Sequence, residues 1–160
     1  MRILFVCLGN ICRSPTAEGV MRKLVSEAGL QEEIELDSAG TGAWHAGEQA
    51  DARARAAARA RGIELDSVAR QVRVADFERF DLILAMDASN LHSLRQLATD
   101  EGAREKVRLL REFDPASADP HDLDVPDPYY DSQRGFEIVL DQVQGACAGL
   151  LAQVRSSETL

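Results

Sequence analysis

A cysteine and an arginine separated by five residues, Cys7-Leu8-Gly9-Asn10-Ile11-Cys12-Arg13, form the part of this 160-residue chain best equipped for chemistry. The apolar run Ile3-Leu4-Phe5-Val6 ahead of them reads as a buried strand. Ser14-Pro15 behind them reads as a helix start, a capping serine with proline at the first helical position. A loop between a strand end and a helix start gathers backbone N–H groups at the positive end of the helix dipole, which suits a tetrahedral oxyanion. Here a thiol sits at its base. Only the thiolate is a nucleophile, and a helix N-terminus, converging N–H groups and a neighbouring arginine favour that form of a cysteine. The same groups hold a dianionic phosphate, and Arg13 offers two of its oxygens a planar fork that lysine lacks. Gly9 lets the backbone approach the anion, and Asn10 tolerates a left-handed conformation that helps aim N–H groups inward. Ser14 has two roles open to it, donor to the thiolate and helix cap.

A thiolate and an anion clamp still lack a proton for a departing aryl or alkyl oxide, and a positioned acid contributes roughly 10²–10⁴-fold. The candidate is Asp127 in Val125-Pro126-Asp127-Pro128-Tyr129-Tyr130. Two prolines stiffen its backbone, and two tyrosines stand ready to wall an aromatic slot. The loop by itself leaves oxyanion binding, arsenate reduction and phosphate transfer open. The Gly-Lys-Ser/Thr pattern of a nucleotide-binding loop is absent. His45, His92 and His121 have no metal-ligand spacing, so no metal site is expected.

The elements that must position these residues alternate. Strands are expected at Arg2–Cys7, Ile34–Ser38, Leu82–Met86 and Val107–Leu110, and helices at Pro15–Ala28, Ala50–Gly62, Ala88–Ala98 and Ser132–Arg155. Short continuous apolar runs separated by helices indicate an α/β fold with a parallel sheet covered on both faces. In such a sheet ligands bind beyond the carboxyl ends of the strands, where Cys7 falls. Gly29, Gly62 and Gly102 stand where C-cap glycines would. In the last helix Phe136, Val139, Leu140, Val143, Cys147, Leu150, Leu151 and Val154 share one stripe, expected to bury against the sheet with Cys147 inert.

The length fits one domain, 1–160, with a polar tail from about 156. Three cysteines argue against a disulfide framework and for a reducing, cytoplasmic compartment. No signal peptide and no membrane span are read from the sequence. The net charge of −9 disfavours nucleic acid and anionic membranes as partners. Charge is uneven: residues 53–73 carry six arginines, read as a solvated helix face, and residues 112–131 carry seven acids without Lys or Arg.

Nearly the whole chain resembles the low-molecular-weight protein tyrosine phosphatases, in particular the bacterial cytosolic members. The likeness rests on Val6-Cys7-Leu8-Gly9-Asn10-Ile11-Cys12-Arg13-Ser14-Pro15 with Ala17-Glu18, on Asp37-Ser38-Ala39-Gly40-Thr41, and on Ala69-Arg70-Gln71. It continues in Met86-Asp87, Ser89-Asn90 and Asp127-Pro128-Tyr129-Tyr130. The resemblance implies a three-layer sandwich whose four-stranded parallel sheet has the order 2-1-3-4. It implies attack by Cys7 on phosphorus, a phosphocysteine, proton delivery and then water activation by Asp127, and a phosphate clamp by Arg13, without metal or cofactor. It further implies that Ser14 stabilises the thiolate and that Asn10 sits in a strained turn held partly by Ser38. Many members place a histidine in that network two residues before the Ala-Arg-Gln motif; here the position is Ser67, and Ser67 or water is expected to replace it. Related enzymes form a reversible disulfide between the cysteines matching Cys7 and Cys12, which shields the nucleophile from over-oxidation.

The expected substrate-binding set is Leu8, Gly9, Asn10, Ile11, Cys12, Ser14, Trp44, His45, Tyr129 and Tyr130. A slot between Trp44 and Tyr129 would stack a phenol ring. Trp44 lies in the Gly-flanked Gly42-Ala43-Trp44-His45-Ala46-Gly47, which suggests an exposed rim. A related branch that removes phosphate from arginine carries threonine at the Ile11 position, so Ile11 points to an aryl phosphate. Arg70 and the Asp51/Arg53 pair read as structural. Expected partners are phosphotyrosine proteins, with inorganic phosphate as product and inhibitor, and a monomeric state. An arsenate reductase would need a cysteine relay that Cys147 on a buried stripe does not supply. A silent phosphotyrosine-binding module would need neither Cys7 nor Asp127.

Overall fold

The two central apolar runs are buried on both faces and the edge strands pair against them. In the computed structural model, which describes residues 1–117 and 119–156, β1 (Arg2–Cys7), β2 (Glu35–Gly40), β3 (Leu82–Ala85) and β4 (Val107–Leu109) form one four-stranded sheet. Its order is β2-β1-β3-β4 and all its pairings are parallel. Residues 157–160 of the expected polar tail lie outside the described residues. The strand pleat divides the core. Ile3, Phe5 and Cys7 face the cluster containing the helices α1 (Arg13–Glu27), α2 (Ala52–Arg59) and α6 (Gln133–Arg155). Leu4 and Val6 face the other cluster, with Phe77, Phe80, Leu94 and Val107. That second layer holds α3 (Asp76–Arg79), α4 (Ala88–Leu97) and α5 (Glu101–Glu105). The α6 stripe is buried from Phe136 to Leu151, with Val154 only partly covered.

Several expectations change. Helix α1 begins at Arg13 rather than Pro15, and its N-cap, Cys12, makes no side-chain cap bond. Ser14 is therefore not the cap; its hydroxyl turns back to the loop, to Asn10 and Cys7. Pro15 falls at the third helical position, where its missing N–H is still one of the unpaired first-turn donors. Gly29 and Gly62 follow helices with φ of 72° and 76°, whereas Gly102 lies inside α5 rather than at a helix end. The short α3, α5 and the 3₁₀ turn Leu110–Phe113 leave no signal in the sequence because one turn is too short to show a hydrophobic period. The arginines of 53–73 are not simply a solvated face. Arg61 pairs with Glu137 and Asp141 of α6, and Arg70 with Asp37 of β2 and Asp76 of α3.

Helix α6 closes over the 3₁₀ turn at Gly149, where an added Cβ would lie 1.8 Å from the Phe113 carbonyl oxygen. At Gly145 the nearest atoms would be the Asp114 carboxylate, at 3.2 Å and able to move. Gly149→Ala is therefore expected to lower stability by about 1–3 kcal/mol through overpacking. Gly145→Ala should be neutral or stabilising through helix propensity. Urea unfolding of the two variants checks the contrast.

Candidate active site

The switch in strand order puts the carboxyl ends of β1 and β3 side by side, and the site is built there. After Cys7 the loop carbonyls turn outward to flanking backbone. Those of Cys7 and Leu8 accept from the N–H groups of Thr41 and Gly42, that of Ile11 from Asp51, and that of Cys12 from Thr16. In a planar trans peptide the N–H of the next residue points opposite to the carbonyl, so the N–H groups of Leu8, Gly9, Cys12 and Arg13 point into the loop. The Asn10 N–H lies 3.3 Å from Cys7 Sγ. The loop thus forms a cradle of inward N–H groups, the geometry its composition leads to.

Its pivot is Asn10, in the left-handed region at φ 58° and 1% exposed. Asn10 Nδ2 donates to Ser14 Oγ at 2.8 Å and to Ser38 Oγ at 3.0 Å. Its Oδ1 accepts the backbone N–H of Arg70 at 3.0 Å. Ser67 is not among these partners. The Arg70 amide donates to Oδ1 instead, so the expectation that Ser67 fills that place is corrected. Ser14 Oγ stands 3.0 Å from Cys7 Sγ.

Arg13 is 3% exposed, and Nη1 donates to Asp87 Oδ2 at 2.6 Å and to the Val125 carbonyl at 3.0 Å. Burial opposes its charge, but Cys7, Asp87 and Asp127 together outweigh burial and hold its pKa above the ordinary arginine value. On its other side Nη2 lies 3.7 Å from Asp127 Oδ2. The segment carrying Asp127 is latched at its start: Val125 N–H donates to the Met86 carbonyl, Ala88 N–H to Asp124 Oδ1, and Arg111 to the Asp124 carbonyl. At its end Arg53 donates to the Tyr129 carbonyl and lies over the Tyr129 and Phe136 rings. Asp127 Oδ1 accepts the Tyr129 N–H at 3.1 Å. The carboxylate itself remains nearly half exposed, at the mouth.

A cavity of about 280 Å³ opens over the loop, lined by Cys7, Leu8, Gly9, Ile11, Cys12, Arg13, Trp44, His45, Asp127, Tyr129 and Tyr130. The predicted set thus converges on one cavity, except that Asn10 and Ser14 lie buried beneath it rather than on its lining. Trp44 is 72% exposed, a rim residue as expected. Tyr129 meets Tyr130 edge-on at 4.9 Å, and His45, held by Glu48, faces Tyr129 at 6.1 Å. Cys12 is a buried free thiol; burial first, then Asp51 and Cys7, push its pKa up to about 12. Burial also raises the pKa of Cys147, whose sulfur lies against the Ala17 carbonyl. Sequence reasoning assigned no role to Asp87. Its place just past an apolar strand is the signal the sequence offers.

Residues 2–159 match the family model described as low molecular weight phosphotyrosine protein phosphatase. A low molecular weight protein-tyrosine-phosphatase of Streptomyces coelicolor is 54% identical over 154 residues, 96% of this chain and 93% of that one. The crystal structure of a protein tyrosine phosphatase from Entamoeba histolytica superposes with a TM-score of 0.94 at 40% identity, covering 99% of each chain. An arginine phosphatase of Drosophila superposes with a TM-score of 0.90 at 32% identity, covering 99% of this chain and 100% of that one.

Two measurements test the site as built. Asn10→Gly keeps the left-handed turn without strain and loses its side-chain bonds, whereas Asn10→Ala loses the bonds and keeps the backbone strain, about 1–2 kcal/mol, of a Cβ at positive φ. Both should lower kcat on p-nitrophenyl phosphate by at least about tenfold, with the alanine variant the less stable of the two on thermal unfolding. Cys12 supplies the second. Below its ordinary value of 9.0 the folded and unfolded chains both keep the proton; from there to about 12 only the folded chain does. Stability therefore falls as pH rises through that window. The urea midpoint is expected to drop as pH rises from about 9 toward 12, and Cys12→Ala should remove part of that drop.

Proposed function

Because the chain belongs to the low molecular weight phosphotyrosine protein phosphatases, hydrolases of phosphate monoesters with phosphoprotein substrates, we propose that Cys7, Arg13 and Asp127 carry its reaction within one domain spanning 1–160. Cys7 Sγ attacks phosphorus in line while the bond to the tyrosine oxygen breaks, and Asp127 gives that oxygen its proton. The product of this step is a phosphocysteine. Asp127, now a carboxylate, takes a proton from water as the water oxygen attacks phosphorus. The S–P bond breaks, and phosphate and the Cys7 thiolate are released. Arg13 and the loop N–H groups hold the equatorial oxygens through both steps. The observation that carries this reading is the convergence of thiol, buried guanidinium and mouth carboxylate on one cavity, with Arg13 Nη2 and Asp127 Oδ2 3.7 Å apart.

The walls support an aryl ester as substrate. Leu8, Ile11, Trp44, Tyr129 and Tyr130 offer flat and apolar surface to a phenol ring, and Arg13 and the loop take the phosphate below it. Gly9 and Cys12 contribute backbone to that floor, His45 a polar edge, and Asn10 and Ser14 support from beneath. Inorganic phosphate, the product, fits the same cradle and is expected to inhibit by competition. The proposal includes a monomeric, cytoplasmic enzyme. Among the described residues no helix is long and apolar enough to cross a membrane.

Wild-type protein assayed on phosphotyrosine, phosphoserine and phosphoarginine peptides should turn over the first much faster. Comparable rates on all three would overturn the aryl preference. Cys7→Ser should abolish turnover and the phosphoenzyme trapped by rapid denaturation during turnover. Asp127→Asn should lower kcat by about 10²–10⁴-fold on phosphotyrosine and less on p-nitrophenyl phosphate, whose leaving group needs less protonation.

A further inference from the structure

Helix α1 carries a buried carboxylate that the reaction as described does not use. Glu18, one turn beyond Ser14, is 5% exposed. One of its oxygens accepts from Ser38 Oγ at 2.7 Å, and the other pairs with Arg22, one turn further and facing solvent. As the carboxylate partner of an arginine, Glu18 offers acceptors only, so Ser38 commits its single proton to it. Ser38 Oγ then has only lone pairs for Asn10, and Asn10 Nδ2 donates to it at 3.0 Å. The amide orientation is fixed independently from the other side, because Oδ1 faces the Arg70 N–H, which can only donate. The second Nδ2 proton goes to Ser14 Oγ at 2.8 Å. Ser14 accepts there and keeps its own proton. The nearer acceptor for that proton is Cys7 Sγ at 3.0 Å, against 3.4 Å for the Ala39 carbonyl.

We infer that Glu18 is a positioning residue that, together with the Arg70 amide, sets the donor direction of the chain from Arg22 through Ser38, Asn10 and Ser14, so that Ser14 donates to the Cys7 sulfur. The inference rests on Cys7 being the nucleophile. A hydrogen bond donated to sulfur stabilises the thiolate before attack and again as it leaves phosphorus in the second step. An amide at position 18 would no longer enforce the order. With its oxygen toward Ser38, its NH₂ would face the Arg22 guanidinium, donor against donor. Turned round, it would donate to Ser38 Oγ, and the Ser38 hydroxyl would lose its acceptor.

The test is a double-mutant cycle on Glu18→Gln and Ser14→Ala, read as kcat and KM on p-nitrophenyl phosphate and as the rate of Cys7 alkylation by iodoacetate at fixed pH. Each single variant should lower kcat by about tenfold, the size of one hydrogen bond to a charged group, slow alkylation and leave KM within about twofold. The double variant should fall no more than about twofold below the poorer single one, because both changes remove the same donor. Losses that multiply, or a Glu18→Gln protein with wild-type kcat and alkylation, would overturn the inference. If Glu18→Gln does not fold, Ser38→Ala cuts the same chain one link nearer the sulfur and carries the cycle with the same two outcomes. Cys7→Ser run in parallel keeps the readings apart. Residual turnover there would sink the nucleophile assignment, whereas an inactive Cys7→Ser beside multiplying losses would sink only the role of Glu18.

Discussion

The left-handed turn at Asn10 is the constraint on which the site depends. A residue with a Cβ held at φ 58° costs about 1–2 kcal/mol of backbone strain, and a loop without that turn could not send its carbonyls outward and its N–H groups inward. The strain is offset locally. Asparagine has a short side chain with both a donor and an acceptor, and all its capacity here goes to neighbours fixed by other elements: Ser14 on α1, Ser38 on β2 and the Arg70 amide beyond α2. The turn is therefore set by the packing of the first βαβ unit together with the segment after α2. Register does the rest, since pairing Cys7 with Gly40 brings Thr41 and Gly42 level with the loop to receive its carbonyls.

Arg13 imposes the second requirement. A buried guanidinium without partners costs several kcal/mol, so the fold must bring it oxygen atoms. Asp87 arrives at the carboxyl end of β3, and the Val125 carbonyl arrives with the segment that Met86 and Ala88 hold in place. These contacts occupy Nη1 and fix the plane of the side chain. The Nη2 edge is left toward the cavity, where Asp127 stands 3.7 Å away. One buried charge thus ties the loop after β1, the end of β3 and the Asp127 segment to a common geometry. The strand order, with β1 and β3 adjacent, makes this possible with short connections.

How far the sequence discloses this follows from the range of each interaction. The four strands and four longer helices show as apolar runs and stripes, because burial of a whole face leaves a period. The Cys7–Arg13 loop shows because the residue types needed at a strand-to-helix junction are rare together. Asp127 shows through its two prolines. The one-turn helices leave no period. The role of Ser14 was open because a serine before a proline satisfies a helix cap equally well; only the nearby Asn10 amide decides it. Asp87, Arg53 and the Arg70 amide are long-range partners whose meaning depends on what lies across space. For Arg70 the relevant group is its backbone N–H, which every residue but proline has. No residue-type signal can mark it, and Ser67 drew attention only because a side chain was expected there.

The site grades from a fixed floor to an open mouth, and that grading bears on what it can select. Cys7, Asn10, Arg13 and Ser14 are all at most 3% exposed, so the floor is pre-organised and loses little freedom when an oxyanion enters. Tyr130 is 95% exposed and Trp44 72%, so the walls present aromatic area that a ligand ring can cover. Apolar burial stabilises by about 25 cal/mol per Å², and only a group that reaches the walls while its phosphate sits on the floor collects that term. A flat ring between phosphate and backbone does both. A single methylene, as in phosphoserine, leaves the walls uncovered and draws the peptide backbone toward the mouth, where Asp127, Tyr129 and Tyr130 crowd the entrance. Discrimination then resides in depth as much as in contact. On the proposed reading the floor takes the phosphate that all such monoesters share, and the reach from floor to rim decides which of them can also cover the walls.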